Sequence, residues 1–127
     1  MLGKMNIIAF APTTDYDKAQ AFYEGTLGLK FLKNDGFALV LEANGIMVRV
    51  GKVPDFKPLP YTILGWEVPD IDSAVAELQA RGVKCEVFGF PGQNEQGVWT
   101  APTGDKVAWF KDPDGNVLSV SQHVGRV

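Results

Sequence analysis

A repeated order of strand and helix patterns constrains the fold of this chain more than any other feature. Two helix ends, Leu27-Gly28-Leu29-Lys30 and Arg81-Gly82-Val83-Lys84, lie about 54 positions apart, and the acidic helix starts Asp15 and Asp70 repeat this spacing to within one residue. Self-similarity at a fixed period is the mark of a duplicated structural unit. The sequence therefore predicts an α+β fold of two tandem β-α-β-β-β modules in a single domain of residues 1–127, with module 1 at 5–51, a linker at 52–60 and module 2 at 61–122.

Module 1 starts with a short apolar run and continues with a helix pattern. The run Met5–Ala11 is rich in Ile and Phe and predicts a strand that is buried on both faces. Thr13 or Thr14 can cap the helix that follows, which ends at Gly28. Its apolar positions recur at helical spacing. Two turns of the hairpin type then separate three predicted strands, Leu29–Lys33, Phe37–Glu42 and Ile46–Val50.

Module 2 repeats this order after a proline-containing linker. Tyr61–Val68 predicts a strand, and Asp70 caps a helix that ends at Gly82. A tight turn, Asp112-Pro113-Asp114-Gly115, precedes the last strand. The strands predicted after the helix are Val83–Phe88, Val98–Ala101, Lys106–Phe110 and Asn116–Ser121.

Composition narrows the classes of partner. A hydrophobic content of 46% in 127 residues is enough for one buried core. The net charge of −3 lacks the basic surface that nucleic-acid-binding proteins use, and no apolar run approaches the roughly 20 residues of a membrane-spanning helix. The lone Cys85 cannot form an internal disulfide, and the start Met1-Leu2-Gly3-Lys4 lacks the pattern of a secretory signal. We expect a cytoplasmic protein with no nucleic-acid or membrane partner.

Three stretches of the chain resemble a known superfamily. AFYEGTLGLKF (Ala21–Phe31) and VAWFKDPDGNVLSVSQ (Val107–Gln122) are similar to the first-helix and last-hairpin motifs of the glyoxalase/bleomycin resistance/extradiol dioxygenase (vicinal oxygen chelate) superfamily, and WEVPDIDSAVAELQARGV (Trp66–Val83) resembles its second-helix segment. The resemblance implies curved mixed sheets around a cavity, often completed across a homodimer. Its members include metal-dependent isomerases, dioxygenases, thiol transferases and metal-free antibiotic-binding proteins, so the fold alone does not choose an activity.

The resemblance also implies where a metal ion would be held. Metal-dependent members place His, Gln or Glu on the first and last strands of each module, and these positions fall here on Ile8, Ile63 and Ser119, and on or beside Arg49. Divalent metals need imidazoles or carboxylates, and a cation at Arg49 opposes their binding. The sole histidine, His123, lies beyond the last strand and is expected to be solvated. We expect no metal and no cofactor.

Strand alternation predicts what lines the cavity in place of metal ligands. The face that carries Ile8, Ile63 and Ser119 should also carry further side chains of the same strands. Trp99 follows the Gly/Gln/Asn-rich loop 91–97 and is a candidate rim residue, whereas Trp66 and Trp109 are expected in the core. The candidate ligand-binding set is Ile8, Phe10, Met47, Arg49, Ile63, Glu67, Trp99, Ser119 and Ser121. The alternative is that Arg49 and Glu67 pair with each other and only close the sheet interior.

These residues favour binding over metal chemistry. The leading prediction is a protein that binds a small organic molecule without a metal, for sequestration or metal-independent chemistry, with Arg49 orienting an anionic or carbonyl group. One alternative is a metal-dependent lyase/isomerase or dioxygenase of the glyoxalase type. Another is a subunit whose own side chains fill the cavity and which acts through protein contacts. The sequence assigns no catalytic residue.

Overall fold

The chain folds into two compact units with the same order of elements. The computed structural model describes residues 1–125 and divides into unit 1, Met1–Pro58, and unit 2, Leu59–Val127. Each unit has one strand, one helical region and three further strands, which form a four-stranded mixed sheet. The predicted α+β class of two similar modules is confirmed. No helix within residues 1–125 combines the length and apolar character that a bilayer crossing requires.

Unit 1 consists of one mixed sheet, a short 3₁₀ turn at Leu2–Lys4 and one longer helical region. Its elements are β1 (Ile8–Thr13), α1 (Tyr16–Gln20) with a π-helical continuation (Ala21–Thr26), β2 (Lys30–Asn34), β3 (Leu39–Ala43) and β4 (Ile46–Lys52). The strand order is β1-β4-β3-β2, in which β1 runs parallel to β4 and the other pairs are antiparallel. Leu39, Leu41, Val48 and Val50 are buried and form the centre of the unit 1 core.

The first helix starts one residue later than the predicted caps. Asp15, not Thr13 or Thr14, is the N-cap, and its Oδ1 accepts hydrogen bonds from the backbone N–H groups of Asp17 and Lys18. Thr13 is the last residue of β1 and is buried within that strand. Asp15 is the first acidic residue after the strand, and its side chain reaches the free amides at the start of the helix. The predicted cap was wrong for this reason.

The first strand is not buried on both faces as predicted. It begins at Ile8 rather than Met5, and its exposure alternates, with Phe10 at 65% and Ala11 at 3%. β1 lies at the edge of its sheet and pairs only with β4. An apolar run identifies a strand but does not show how many of its faces are covered.

Unit 2 repeats the topology with a longer helix. Its elements are β5 (Thr62–Glu67), α2 (Ile71–Ala80), β6 (Trp99–Thr100), β7 (Lys106–Lys111) and β8 (Val117–Gln122), and the strand order is β5-β8-β7-β6. Asp70 caps α2 through the backbone N–H groups of Asp72 and Ser73, so this predicted cap is confirmed. The helix packs on β7 and β8. Trp66 lies on the helix side, as predicted, with its ring stacked 6.4 Å from that of Phe110.

The predicted strand Val83–Phe88 does not form. This stretch runs as an irregular segment in which the Glu86 N–H donates to the carbonyl of Trp109 at 2.8 Å. Directly after it, Gly89 and Gly92 have positive φ, so the irregular backbone continues into the following loop. The side chain of Gln93, in the same irregular segment, instead binds two of the backbone groups that a strand would pair, the N–H of Phe88 and the carbonyl of Glu86.

Candidate functional site

The sheet of unit 2 has one face against the helix and one face away from it. Ala108, Phe110, Leu118 and Val120 are buried on the helix side. Alternation places the remaining side chains on the opposite side, here called the open face. Residues that are neighbours across strands β5, β8 and β7 form three rows on this face. They are Thr62, Val117 and Lys111, then Gly65, Ser119 and Trp109, then Glu67, Ser121 and Val107, and Trp99 of β6 lies next to Val107.

The open face of unit 2 holds four of its five candidate ligand-binding residues. Glu67, Trp99, Ser119 and Ser121 share it, whereas Ile63 does not take part in the strand ladder. Thr62 and Leu64 pair with the consecutive residues Val117 and Leu118, so Ile63 is the extra residue of a β-bulge. Counting along the sequence assigns a face to Ile63 only if the strand is regular, which it is not.

Trp109 lies on this open face and not in the core, contrary to the prediction. Its ring is the centre of a cluster with Phe88, Phe90 and Trp99, at centroid distances of 5.8, 6.1 and 6.3 Å. The Phe88 and Phe90 rings stack on each other at 5.1 Å. Both neighbours of Trp109 in the chain are buried on the helix side, so the same alternation that placed Trp66 would have placed Trp109 correctly. Phe88 and Phe90 are functional candidates that the sequence did not single out.

Two hollows border this aromatic cluster. The first, of about 500 Å³, is lined by Phe90, Pro91, Trp99 and Trp109. The second, of about 430 Å³, extends from Phe88 and Trp109 towards Tyr61 and Lys111. Volumes of this size are typical of sites for small organic molecules, which are mostly apolar with a few polar groups. Lys111 and Glu86 supply such groups, with Lys111 Nζ 3.3 Å from Glu86 Oε1.

The side chain of Ser119 fits closely against Gly65, because Gly65 has no side chain. A Cβ atom at Gly65 would stand 2.6 Å from Ser119 Oγ, closer than real Cβ contacts allow. The hydroxyl of Ser119 therefore occupies the space above Gly65, next to its other strand neighbour, Trp109. Ser119 is only 9% exposed, so its hydroxyl is largely covered.

Ser121 is engaged by the only histidine. His123 is exposed, as predicted, and its Nε2 lies 2.9 Å from Ser121 Oγ while its Nδ1 lies 3.5 Å from Asp105 Oδ2. The backbone N–H of Val124 donates to the other oxygen of Asp105, and this bond, with the contact to His123, lowers the pKa of the Asp105 carboxyl. The Ser121 hydroxyl is thus oriented by the end of the chain rather than by the strand.

The four candidate residues of unit 1 share one face of its sheet. Ile8 is the cross-strand partner of Met47, and Phe10 is the partner of Arg49. Phe10 and Arg49 line a hollow of about 340 Å³ together with Phe37 and Val53. Phe37 was predicted only as the first residue of a strand and was not identified from the sequence as a site residue.

Arg49 forms an ion pair within unit 1. Its Nη2 donates to Asp35 Oδ2 at 2.9 Å, and the other oxygen of Asp35 accepts from the backbone N–H groups of Phe37 and Ala38, each at 2.9 Å. The Phe37 amide, followed by Arg49, lowers the pKa of the Asp35 carboxyl. A carboxylate that is held in this way fixes the position of the guanidinium at the hollow.

The donor set does not fit a catalytic metal ion. The expected ligand positions carry Ile8, Arg49, Ile63 and Ser119, which supply neither imidazole nor carboxylate, and Arg49 is a cation. Neither unit groups three His, Cys, Asp or Glu side chains at coordinating distance within residues 1–125. These positions therefore provide no ligand set through which a divalent metal could act.

Comparison with known proteins places this architecture in a family. A sequence model described as glyoxalase/bleomycin resistance protein/dioxygenase superfamily matches residues 4–120. The chain belongs to this superfamily. No curated protein sequence matches the chain.

Solved structures of the superfamily share the fold at low sequence identity. A glyoxalase family protein from Enterococcus faecalis is 21% identical, with 95% of this chain and 99% of that chain covered and a TM-score of 0.70. A bleomycin-binding protein complexed with bleomycin is 22% identical, with 94% and 98% covered and a TM-score of 0.70. The fosfomycin resistance protein FosX from Listeria monocytogenes is 11% identical, with 94% and 93% covered and a TM-score of 0.70. At these identities the similarity establishes the fold and leaves the ligand open.

Proposed function

We propose that this protein binds a small, planar organic molecule without a metal ion. The observation that carries the proposal is the aromatic cluster of Phe88, Phe90, Trp99 and Trp109, which borders two hollows on the open face of unit 2. Aromatic side chains combine a large apolar contact area with a preferred stacking geometry, and monomeric proteins rarely expose such groups together without a use. The bleomycin-bound member of the superfamily is a precedent for small-molecule binding in this fold.

Arg49 has a separate role in this proposal. In the hollow of unit 1 it orients an anionic or carbonyl group, because a guanidinium has five N–H donors and the ion pair with Asp35 uses one of them. Phe10 and Phe37 provide apolar walls on either side of this cation. The two hollows are tested by separate variants, Trp109→Leu by tryptophan fluorescence and Arg49→Gln by calorimetry, because all three tryptophans lie in unit 2.

Fluorescence titration of the tryptophans tests the aromatic part of the proposal. Suitable probes are metal-free bleomycin and 2-naphthoate, added in the presence of a chelator. We expect saturable quenching with a Kd that Trp109→Leu raises roughly 5- to 150-fold, since base-like ring stacking contributes about 1–3 kcal/mol. The matched control is Trp66→Leu, because Trp66 packs against Phe110 on the helix side. Equal effects of the two substitutions would contradict a site on the open face.

A pair of probes that differ only in charge tests the role of Arg49. We expect Arg49→Gln to weaken binding of 2-naphthoate more than binding of 2-naphthamide, because only the carboxylate forms a charge-assisted pair. Arg81→Gln is the matched control, since Arg81 pairs with Glu77 on the exposed side of α2. An equal loss for both probes would remove Arg49 from any anion-orienting role.

The rival function is a metal-dependent lyase/isomerase or dioxygenase, which membership of the superfamily favours. Elemental analysis of the purified protein decides between the two functions. Stoichiometric nickel, zinc, iron or manganese, together with ligand binding that is lost on chelation, would replace the proposal by this rival.

We further propose that the chain forms a homodimer in the cytoplasm. Support comes from the edge strand β1, where Ile8 and Phe10 and the preceding residues Met5 and Ile7 are all exposed apolar side chains. Exposed edges of this kind are typically covered by another chain. Sedimentation equilibrium should give twice the chain mass, and Ile7→Lys should shift the equilibrium towards monomer while Leu59→Lys does not. A monomer at all concentrations would refute the dimer, and cell fractionation tests the location.

A further inference from the structure

One side chain, that of Gln93, forms four hydrogen bonds with the backbone of the segment that carries Phe88 and Phe90. Gln93 Oε1 accepts hydrogen bonds from the backbone N–H groups of Phe88, at 2.7 Å, and Gly89, at 3.1 Å. Its Nε2 donates to the carbonyl oxygens of Glu86 and Gly97, both at 3.0 Å. A glutamine amide has two donor hydrogens and one oxygen that can accept two bonds, so all of these capacities are used within the segment.

These bonds replace the strand that the sequence predicts at this place. In a regular strand the amides of Phe88 and Gly89 would face opposite directions, and only one would meet a given neighbour. Binding both to the same oxygen turns the chain sharply at this point, where Gly89 has a φ of +77°. Phe88 and Phe90 flank this turn, and their rings contact Trp109 and each other.

The rings need this support because their own packing is incomplete. Phe88 and Phe90 are 52% and 46% exposed, so burial alone contributes little to fixing their positions. A second polar anchor lies on the far side of the hollow, where Trp99 Nε1 donates to the carbonyl of Pro91 at 3.2 Å. The aromatic walls are therefore positioned by hydrogen bonds of the segment rather than by core packing.

We infer that Gln93 is the positioning residue of the aromatic site and sets its affinity without touching the ligand. This inference rests on the proposed function, because it concerns the same site. Without the amide, the segment has to be ordered when the ligand binds, and the ordering of several residues opposes association. A pre-organised segment avoids that loss of entropy.

The test compares two glutamines three residues apart in the full chain. Gln93→Met retains the length of the side chain and removes all four hydrogen bonds, and we expect it to raise the Kd for 2-naphthoate roughly tenfold. Gln96→Met is the matched control, because Gln96 is exposed in the same loop, and it should leave the Kd unchanged. Binding is measured by calorimetry at a temperature at which each variant is fully folded, and the weaker affinity should appear as a less favourable entropy.

A second variant covers the case in which Gln93→Met does not fold. Gln93→Glu retains the acceptor for Phe88 and Gly89 and loses both donors, so we expect a several-fold rise in Kd. Wild-type affinity in a folded Gln93 variant, with binding still lost in Trp109→Leu, would overturn the inference and leave the proposed function intact. Failure of wild-type protein to bind either probe would instead refute the proposed function, and the inference with it.

Discussion

The close packing of Gly97 against Cys85 and Glu86, within the same irregular segment, makes Gly97→Ala a decisive substitution. A Cβ at this position would stand 2.9 Å from the carbonyl oxygen of Glu86 and 3.0 Å from Cys85 Cβ. Neither atom is the end of a flexible side chain, so relief requires the backbone to move. Gly97 also has a φ of +92°, which side-chain-bearing residues rarely adopt.

The magnitude follows from these two contributions. A left-handed conformation costs a residue with a Cβ about 1–2 kcal/mol, and overpacking a filled site costs about 1–3 kcal/mol. We therefore expect Gly97→Ala to lower the free energy of unfolding of unit 2 by about 2–5 kcal/mol. Gly89→Ala is the matched control, because Gly89 has a φ of +77° and no neighbouring atom lies within 4 Å of where its Cβ would stand, so only the conformational cost of about 1–2 kcal/mol applies.

Urea unfolding monitored by tryptophan fluorescence measures this difference. Trp66, Trp99 and Trp109 are the three tryptophans of the chain and all lie in unit 2, so the signal reports on that unit. With a slope of about 1–3 kcal/mol per molar urea, an additional loss of about 2 kcal/mol moves the midpoint by roughly 1 M. Equal midpoints for the two alanine variants would show that Gly97 does not pack against Cys85 and Glu86 as described, and would refute the reasoning.

Two further predictions concern unit 2. The N–H and hydroxyl of Ser73 lower the pKa of the Asp70 carboxyl in the folded protein. The ionised carboxyl therefore stabilises the fold fully above the ordinary aspartate pKa, and this stabilisation is lost as the pH falls through the lowered pKa of the folded state. Urea titrations should accordingly show a steeper loss of stability below about pH 4 in wild type than in Asp70→Asn, and parallel curves would contradict the cap. Gly65→Ala should destabilise the unit by about 1 kcal/mol through its clash with Ser119 Oγ, and Ser119→Ala should restore most of this loss in the double variant; additive effects would show that the two positions are not in contact.

Local chemistry made most of the fold predictable. The hairpin turns, the duplicated order of elements and the cap at Asp70 depend on residues that are close in sequence, whereas the choice among neighbouring caps before the first helix was wrong. The other errors occur where a contact with another part of the chain determines the local backbone structure. The bulge at Ile63 depends on its pairing with β8, and the missing strand at 83–88 depends on the side chain of Gln93.

The candidate site was predictable only in part for the same reason. Strand alternation correctly grouped Met47 with Arg49, and Glu67 with Ser119 and Ser121. It would also have placed Trp109 on the open face, where the more general expectation that tryptophan is buried gave the wrong answer. Phe88 and Phe90 could not be assigned to the site, because an irregular segment has no periodicity from which a face can be read.

The central claim is tested most directly by measuring 2-naphthoate binding to extensively chelated protein and the metal content of the same sample. The account predicts saturable binding with less than about 0.1 equivalent of any divalent metal, and loss of that binding in Trp109→Leu. Binding that appears only after a stoichiometric divalent ion is restored would contradict it.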